Sequence, residues 1–418
     1  MTPAARIQAV IDVLAEIIAS TRPADAIASA YFRDRRYIGS KDRAAVNGRL
    51  YRIVREYHRL GWWILGAGAE VNARTLVIAS LLFDKEHNAA SLENSFSGET
   101  YAPDALTADE KKLATALQGK TLEDPAMPLR EKTECPEWAF GSLQKTLGAD
   151  FEKEMRAMQV AAPLDVRVNL IKAKRDDVLA ALKKEGFDAQ PGKISPLSIR
   201  LLGRPQITQH PLYLEGHIDI QDEGSQMVAV LADAKPGEQV CDFCAGAGGK
   251  TLALGASMDN RGRIVAMDVL GGRLNKAKER FRRAGLHNIE TREIVEGDKF
   301  VKRHAGHFDL VLLDAPCTGT GTWRRDPDRH WRLLGPGLAE LAALQSEILE
   351  NAHRMVKPGG RLVYATCSLL REENEDQVEK FLAAHADFTA GKSIRLTPAK
   401  DDTDGFYAAV MVKKKLSS

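Results

Sequence analysis

The chain has 418 residues, 44% of them apolar and 28% charged, with a formal net charge of +2. That length holds two or three domains with ordinary cores, and no apolar run approaches the roughly 20 residues of a membrane span, so no membrane partner is expected. A balanced total charge excludes no partner, because a local basic face can hide within it.

Thr2 can cap a helix that Pro3 starts, with Ile7, Val10, Ile11, Leu14, Ile17 and Ile18 on one face. Arg6, Asp12 and Glu16 interrupt the apolar rhythm there, which argues against a secretory leader and for a cytoplasmic protein. Tyr31, Phe32, Arg33, Arg35, Arg36 and Tyr37 read equally as an RNA contact or as a partly buried aromatic pair beside a basic turn. A second helix follows Ser40, with Val46, Leu50, Ile53, Val54 and Tyr57 apolar, and Arg49, Arg52, Arg55 and Arg59 on the rest. The polar stretch from Glu86 to Thr100 reads as a loop, and Thr107 with Glu110 signs a capping box. Nothing before about Pro163 reads as a strand, so residues 1–135 are expected to form an all-helical domain.

Residues 136–220 are expected to hold linker helices and a small α/β piece. Val166, Val168 and Leu170 alternate as in a strand, Asp176 to Glu185 has helical spacing, and Ser198 to Leu202 returns to strand. From 221 to 418 the pattern is regular. Strands around Val240, Ile264 to Met267, Phe308 to Leu313 and Arg361 to Ala365 alternate with helices near Lys250 to Ser257, Gly272 to Ala284, Leu338 to Met355 and Glu372 to Ala384. This predicts an α/β, Rossmann-like, mostly parallel sheet whose ligands bind at the carboxyl ends of the strands.

Those ends carry the chemistry. The first strand runs into Cys244, Ala245, Gly246, Ala247, Gly248, Gly249, Lys250 and Thr251, whose small residues let a ligand approach the backbone and a helix N-terminus. The next strand ends at Asp268, placed to bind ribose hydroxyls. The pattern fits nicotinamide cofactors and S-adenosylmethionine about equally. Asp298 suits the adenine end of a nucleoside cofactor, or a helix cap. The fourth strand ends in Asp314-Ala315-Pro316-Cys317-Thr318-Gly319 and the fifth in Thr366-Cys367-Ser368. A lone free cysteine reads as a small buried hydrophobe; two at neighbouring strand ends read as chemistry. Carbon 5 of a pyrimidine is a poor nucleophile until a thiolate adds to carbon 6, and a base must later remove the carbon 5 proton. Asp314 can hold the ring's polar edge. The chemistry leaves open which cysteine attacks.

Five cysteines at uneven spacing, without an export signal, argue against a disulfide framework. Cys241 is expected in the core, and neither Cys241-x-x-Cys244 nor the ten scattered histidines suggests a metal site. Arg324 and Arg325 follow the catalytic turn and suit target phosphates, whereas Arg280, Arg282 and Arg283 read as a solvated helix face.

The glycine loop, the Asp314 to Asp328 segment and Thr366-Cys367-Ser368 together resemble the RsmB/Nop/Sun family of RNA cytosine-5 methyltransferases. Gln221 to Gln226 and Asp404-Gly405-Phe406-Tyr407 resemble its opening and closing motifs, so the likeness spans about 221 to 413. The N-terminal helices are similar to a NusB-like domain and the middle piece to a small RNA-recognition domain of the bacterial RsmB enzymes. The resemblance implies S-adenosylmethionine as cofactor, contacted by Cys244 to Lys250, Asp268, Asp298 and Asp314. It implies Cys367 as nucleophile, Cys317 as the group assisting proton removal and release, and Lys250 as a residue orienting the base. The implied partner is RNA, with rRNA favoured over tRNA, and a monomer is expected. One departure is Gly246-Ala247 where the family commonly has Ala-Pro, which makes the loop more flexible; Thr318 replaces the commoner serine. The rival readings are an inactive RNA-binding assembly factor and a nicotinamide-dependent oxidoreductase.

Overall fold

The computed structural model describes residues 1–85, 87–203, 205–295, 299–332 and 334–415. The chain divides into two compact units, residues 1–160 with 323–335, and residues 161–322 with 336–418.

The first unit is helical among its described residues. Thr2 accepts a hydrogen bond from the Ala5 amide at the head of a helix over Pro3–Ala19, and Ile7, Val10, Ile11, Leu14 and Ile17 are buried. Ile18 is 38% exposed, because one residue beyond Ile17 turns off the buried stripe. The helix Ser40–Arg55 buries Val46, Leu50, Ile53 and Val54. Its arginines are engaged: Arg49 and Arg52 both pair with Asp84. Arg59, on the next helix, is buried against Glu134 at 2.8 Å. A helix over Ala89–Ser95 lies within the stretch read as a loop; Asn88 and Ser91 close a capping box on it. The Thr107–Glu110 capping box is present.

The segment 323–335 packs within this unit. Asp328 accepts from the Ala24 amide at 3.0 Å, His330 Nε2 meets the Val54 carbonyl at 3.1 Å, and Trp331 stacks on Tyr57 with centroids 4.1 Å apart.

The second unit holds two sheets. The smaller contains β1 (Leu164–Val168), β2 (Ala189–Pro191), β3 (Ser198–Leu201) and β4 (Ile218–Ile220), in the order β2-β3-β1-β4 with antiparallel pairs. The helix Arg175–Lys184 buries Val178 and Leu182, which cluster with Val166, Val168, Ile199 and Ile218. Leu170 lies past the end of β1 and is exposed.

The larger sheet contains β5 (Gln239–Asp242), β6 (Arg263–Asp268), β7 (Ile289–Glu293), β8 (Phe308–Asp314), β9 (Val356–Thr366), β10 (Phe388–Leu396) and β11 (Phe406–Lys413). Its order is β10-β11-β9-β8-β5-β6-β7. The strands β5 to β9 run parallel, and β11 runs antiparallel between β9 and β10, a Rossmann-like, mostly parallel arrangement. Val240, Ile264, Leu310, Leu312 and Val363 are fully buried, as expected of strands covered on both faces. From β5 the chain builds outward through β6 and β7, then returns to place β8 on the other side of β5. The strand order therefore reverses between β5 and β8, which puts a crevice at their carboxyl ends.

Candidate active site

The loop after β5 depends on backbone that only glycine adopts easily. Gly246 and Gly248 have φ of +54° and +77°. A Cβ on Gly248 would fall 2.6 Å from the Phe281 ring, whereas one on Gly246 would meet nothing within 4 Å. The loop is thus seated on the helix Gly271–Ala284 at Gly248 and faces open space at Gly246. Asp268, at the end of β6, accepts from the Gly246 amide and the Leu270 amide, each at 2.8 Å. Its carboxylate is thereby fixed beside the loop, with lone pairs left for further donors. Below the loop, Thr251 donates to buried Asp242 at 2.6 Å. Burial pushes the Asp242 carboxyl up to about 7, against the Thr251 hydrogen bond and with help from the Asp314 charge.

Across the crevice, β8 and β9 are neighbours in register, with Asp314 opposite Ala365. Their ends bring Cys317 Sγ and Cys367 Sγ to 3.4 Å. The hydrogen bond to Cys367, then burial, then the Glu373 charge hold the Cys317 thiol well above its ordinary range. Lys250 reaches across from the loop to Asp314 at 2.6 Å. Burial would push the Lys250 ammonium down, but Asp314, Cys367 and Asp242 together carry it upward, so it stays charged. Its ammonium also lies 5.3 Å from the centre of the Phe406 ring.

The two turns are braced by residues the sequence reading passed over. Buried Glu373 accepts from the Thr318 amide at 2.9 Å and its hydroxyl at 2.5 Å. Gln345 donates to the Pro316 carbonyl at 2.9 Å and to Glu373 at 3.0 Å. Asn374 accepts from Thr366 at 2.5 Å and donates to the Ser368 carbonyl at 2.9 Å, bracketing Cys367. Gly321 donates to the Cys367 carbonyl and accepts from the Gly405 amide. The run Arg371-Glu372-Glu373-Asn374, polar and directly after the cysteine turn, was the available signal.

The structure therefore gathers Lys250, Asp314, Cys317 and Cys367 into one cluster and places Asp268 against the loop from Ala245 to Gly249. Cys244 is half-buried, with its thiol pushed up by burial and by Asp242, Asp314 and Asp268. Asp298 lies outside the described residues. Cys241 is fully buried, its sulfur 3.8 Å from that of Met267.

Two readings change. Arg324 is buried and packs with the helical unit, because the chain leaves the sheet unit after Thr322; Arg325 is exposed. Arg282 is exposed as expected, but Arg280 and Arg283 are not a solvated face, since both pair with Asp219 on β4. Of the two readings of residues 31–37, the structure matches the aromatic pair beside a basic turn: Tyr31 and Phe32 are buried, the Arg35 guanidinium lies 3.8 Å over the Tyr31 ring, and Arg33, Arg36 and Tyr37 face solvent. Among the described residues, Glu350, His353 and His385 bring possible metal-ligand atoms together, with His385 Nε2 2.8 Å from the Glu350 carboxylate. Among the same residues, no helix is long and apolar enough to cross a membrane.

Residues 229–412 match the family model described as 16S rRNA methyltransferase RsmB/F, and residues 135–208 match the ferredoxin-like domain of RsmF/B-like methyltransferases. Over 288 residues the chain is 35% identical to Ribosomal RNA small subunit methyltransferase B of Serratia proteamaculans (strain 568), covering 66% of each. The protein of the same name from Shewanella oneidensis (strain MR-1) is 33% identical over 66% of this chain and 67% of its own length. The aligned part thus spans about two thirds of these curated relatives, 66% in the Serratia case. Among solved structures, the crystal structure of PH0851 is 26% identical, with a TM-score of 0.79 and 99% of each chain covered.

Proposed function

Since the chain belongs to the RsmB/F family of 16S rRNA methyltransferases, we propose that it transfers a methyl group from S-adenosylmethionine to carbon 5 of a cytosine in small-subunit rRNA, in the cytoplasm. The observation that carries the reading is the pair of thiols 3.4 Å apart, beside the Lys250–Asp314 ion pair, at the reversal of strand order.

The loop fits the cofactor. It has open space over Gly246, two glycines at positive φ and a fixed carboxylate at Asp268. S-adenosylmethionine, when bound, supplies an electrophilic methyl group. Cys244 to Lys250, Asp268, Asp298 and Asp314 are its assigned contacts. The rest falls to this chain's side chains. Cys367 adds as a thiolate to carbon 6 of a flipped cytosine, and the electron pair of the carbon 5–carbon 6 bond becomes nucleophilic at carbon 5. Lys250 sets a buried positive charge beside Asp314 and Cys367, which favours that thiolate. Asp314 holds the ring's polar edge. Carbon 5 gains the methyl; its proton then passes to the Cys317 sulfur as that thiol hands its own proton to Cys367, the carbon 5–hydrogen electron pair re-forms the carbon 5–carbon 6 double bond, and the carbon 6–sulfur bond breaks. Cys317, whose sulfur lies 3.4 Å from that of Cys367, is the group in reach for that exchange. In this reading the NusB-like helical part and the small RNA-recognition piece bind the RNA.

The test is covalent trapping. Cys317→Ala should accumulate a protein–RNA adduct that survives denaturing electrophoresis, and Cys367→Ala should form none. An adduct with Cys367→Ala instead would exchange the two roles.

A further inference from the structure

The cofactor loop is soft where it must be open, and its glycines do not by themselves fix where its carbonyls point. Two arginines do so from outside the loop. Arg280, on the helix Gly271–Ala284, donates from Nη1 to the Ala247 carbonyl at 2.5 Å. Arg167, on β1 of the small sheet, donates from Nη1 to the Gly249 carbonyl at 2.7 Å and also to Gln221. Asp219 on β4 binds the other arm of Arg280 and, at 2.9 Å, Arg283.

The arrangement is more than a surface ion pair. Arg167 is 3% exposed and its Nε is buried without a hydrogen-bond partner. Burial brings its guanidinium down to about 10, with the Asp219 charge working against that fall and the Arg280 charge adding to it. Two guanidinium groups, of Arg280 and Arg283, thus share the Asp219 carboxylate, and Arg167 lies near enough to feel its charge. A buried arginine with an unsatisfied Nε costs stability, and a core built only for stability has no need of one there.

We propose that Arg167 and Arg280 are positioning residues that clamp the loop at Ala247 and Gly249, so that the small sheet, through Arg167 and Asp219, sets the affinity for the cofactor. The inference rests on the reading that this loop holds S-adenosylmethionine. It touches neither cysteine, so the clamp acts on cofactor binding and not on the chemical step.

The experiment is isothermal titration of the full-length protein with S-adenosylhomocysteine, joined to steady-state methylation assays. Compared are wild type, Arg280→Met, Arg280→Lys and Asp219→Asn. Losing a charge-assisted hydrogen bond should weaken binding by about tenfold in Arg280→Met, with the KM for S-adenosylmethionine rising in step and kcat at saturating cofactor held. Arg280→Lys should recover part of the affinity, and Asp219→Asn, which leaves Arg280 in place without its anchor, should fall between. A structural role alone would lower the melting temperature without this split between KM and kcat, or the partial rescue by lysine. Equal affinities in folded wild type and Arg280→Met, or a fall in kcat with KM unchanged, would overturn the clamp while leaving the cofactor reading intact. No binding by the wild type would overturn the reading of the loop and the clamp with it.

Discussion

Cys367 and Cys317 come from strand ends fifty residues apart, yet their sulfurs are close enough to share a proton. In the proposed mechanism Cys367 is the attacking sulfur and Cys317 its proton partner. Lys250 supplies the positive charge, and Lys250→Met should lower kcat by about 10²-fold in a rapid-quench methylation assay, with the fold intact by circular dichroism. A kcat within a factor of about two would remove Lys250 from the mechanism. These groups were legible in the sequence because the cysteines follow strand ends in short motifs and Lys250 follows the glycine loop at the start of a helix. Glu373, Gln345 and Asn374 were not, although they brace both cysteine turns. Their inward aim is fixed only once the helices Leu338–Ala352 and Glu375–Ala384 pack beside the sheet. Arg324 was misread for the converse reason: adjacency to a motif in sequence is not adjacency in space.

At the level of elements, the two turns are locked by a backbone crossing. A Cβ on Gly321 would lie 2.2 Å from the Gly405 carbonyl oxygen, and the Gly405 amide bonds to the Gly321 carbonyl at 2.8 Å. Gly321→Ala should therefore cost about 1–3 kcal/mol by overpacking, read as a lowered melting temperature, and should loosen the Cys367 turn as well. The segment 323–335 makes a second prediction. Burial, the neighbouring His58, Arg55 and Arg59 hold the His330 imidazole well below its ordinary range. Its neutral form belongs to the folded state. The unfolded chain takes up the proton first as pH falls below about 6.5, so stability from this group is present above that pH and lost beneath it. Thermal unfolding at pH 7.5 and 5.5 should show a steeper acid loss in wild type than in His330→Gln; parallel curves would contradict the assignment. The parallel strands β5, β6, β8 and β9 were readable as apolar runs between helices. The strand β11 also carried a signal, a continuous apolar run from Phe406 to Val412, but β10 did not, because its exposed edge residues are mostly small or polar. The Ala89–Ser95 helix was hidden because its stretch is polar; only Asn88 and Ser91 marked it.

For the whole molecule, a net charge of +2 gives no hint of a polyanionic partner, and the structure explains part of the reason. Many arginines are spent internally, on Asp84, Glu134 and Asp219. Others, among them Arg33 and Arg36 beside Tyr37, face solvent. Composition counts both kinds alike. The resemblance carried by the sheet motifs was enough to anticipate the family, while the distribution of charge between core and surface needed the fold. The central claim is cytosine-5 methylation of small-subunit rRNA through Cys367. Its most direct measurement is nucleoside mass spectrometry of unmodified small-subunit rRNA incubated with S-adenosylmethionine and either wild-type or Cys367→Ala protein. The account predicts 5-methylcytidine with wild type and none with Cys367→Ala; 5-methylcytidine formed equally by both, or a different methylated nucleoside from the wild type, would contradict it.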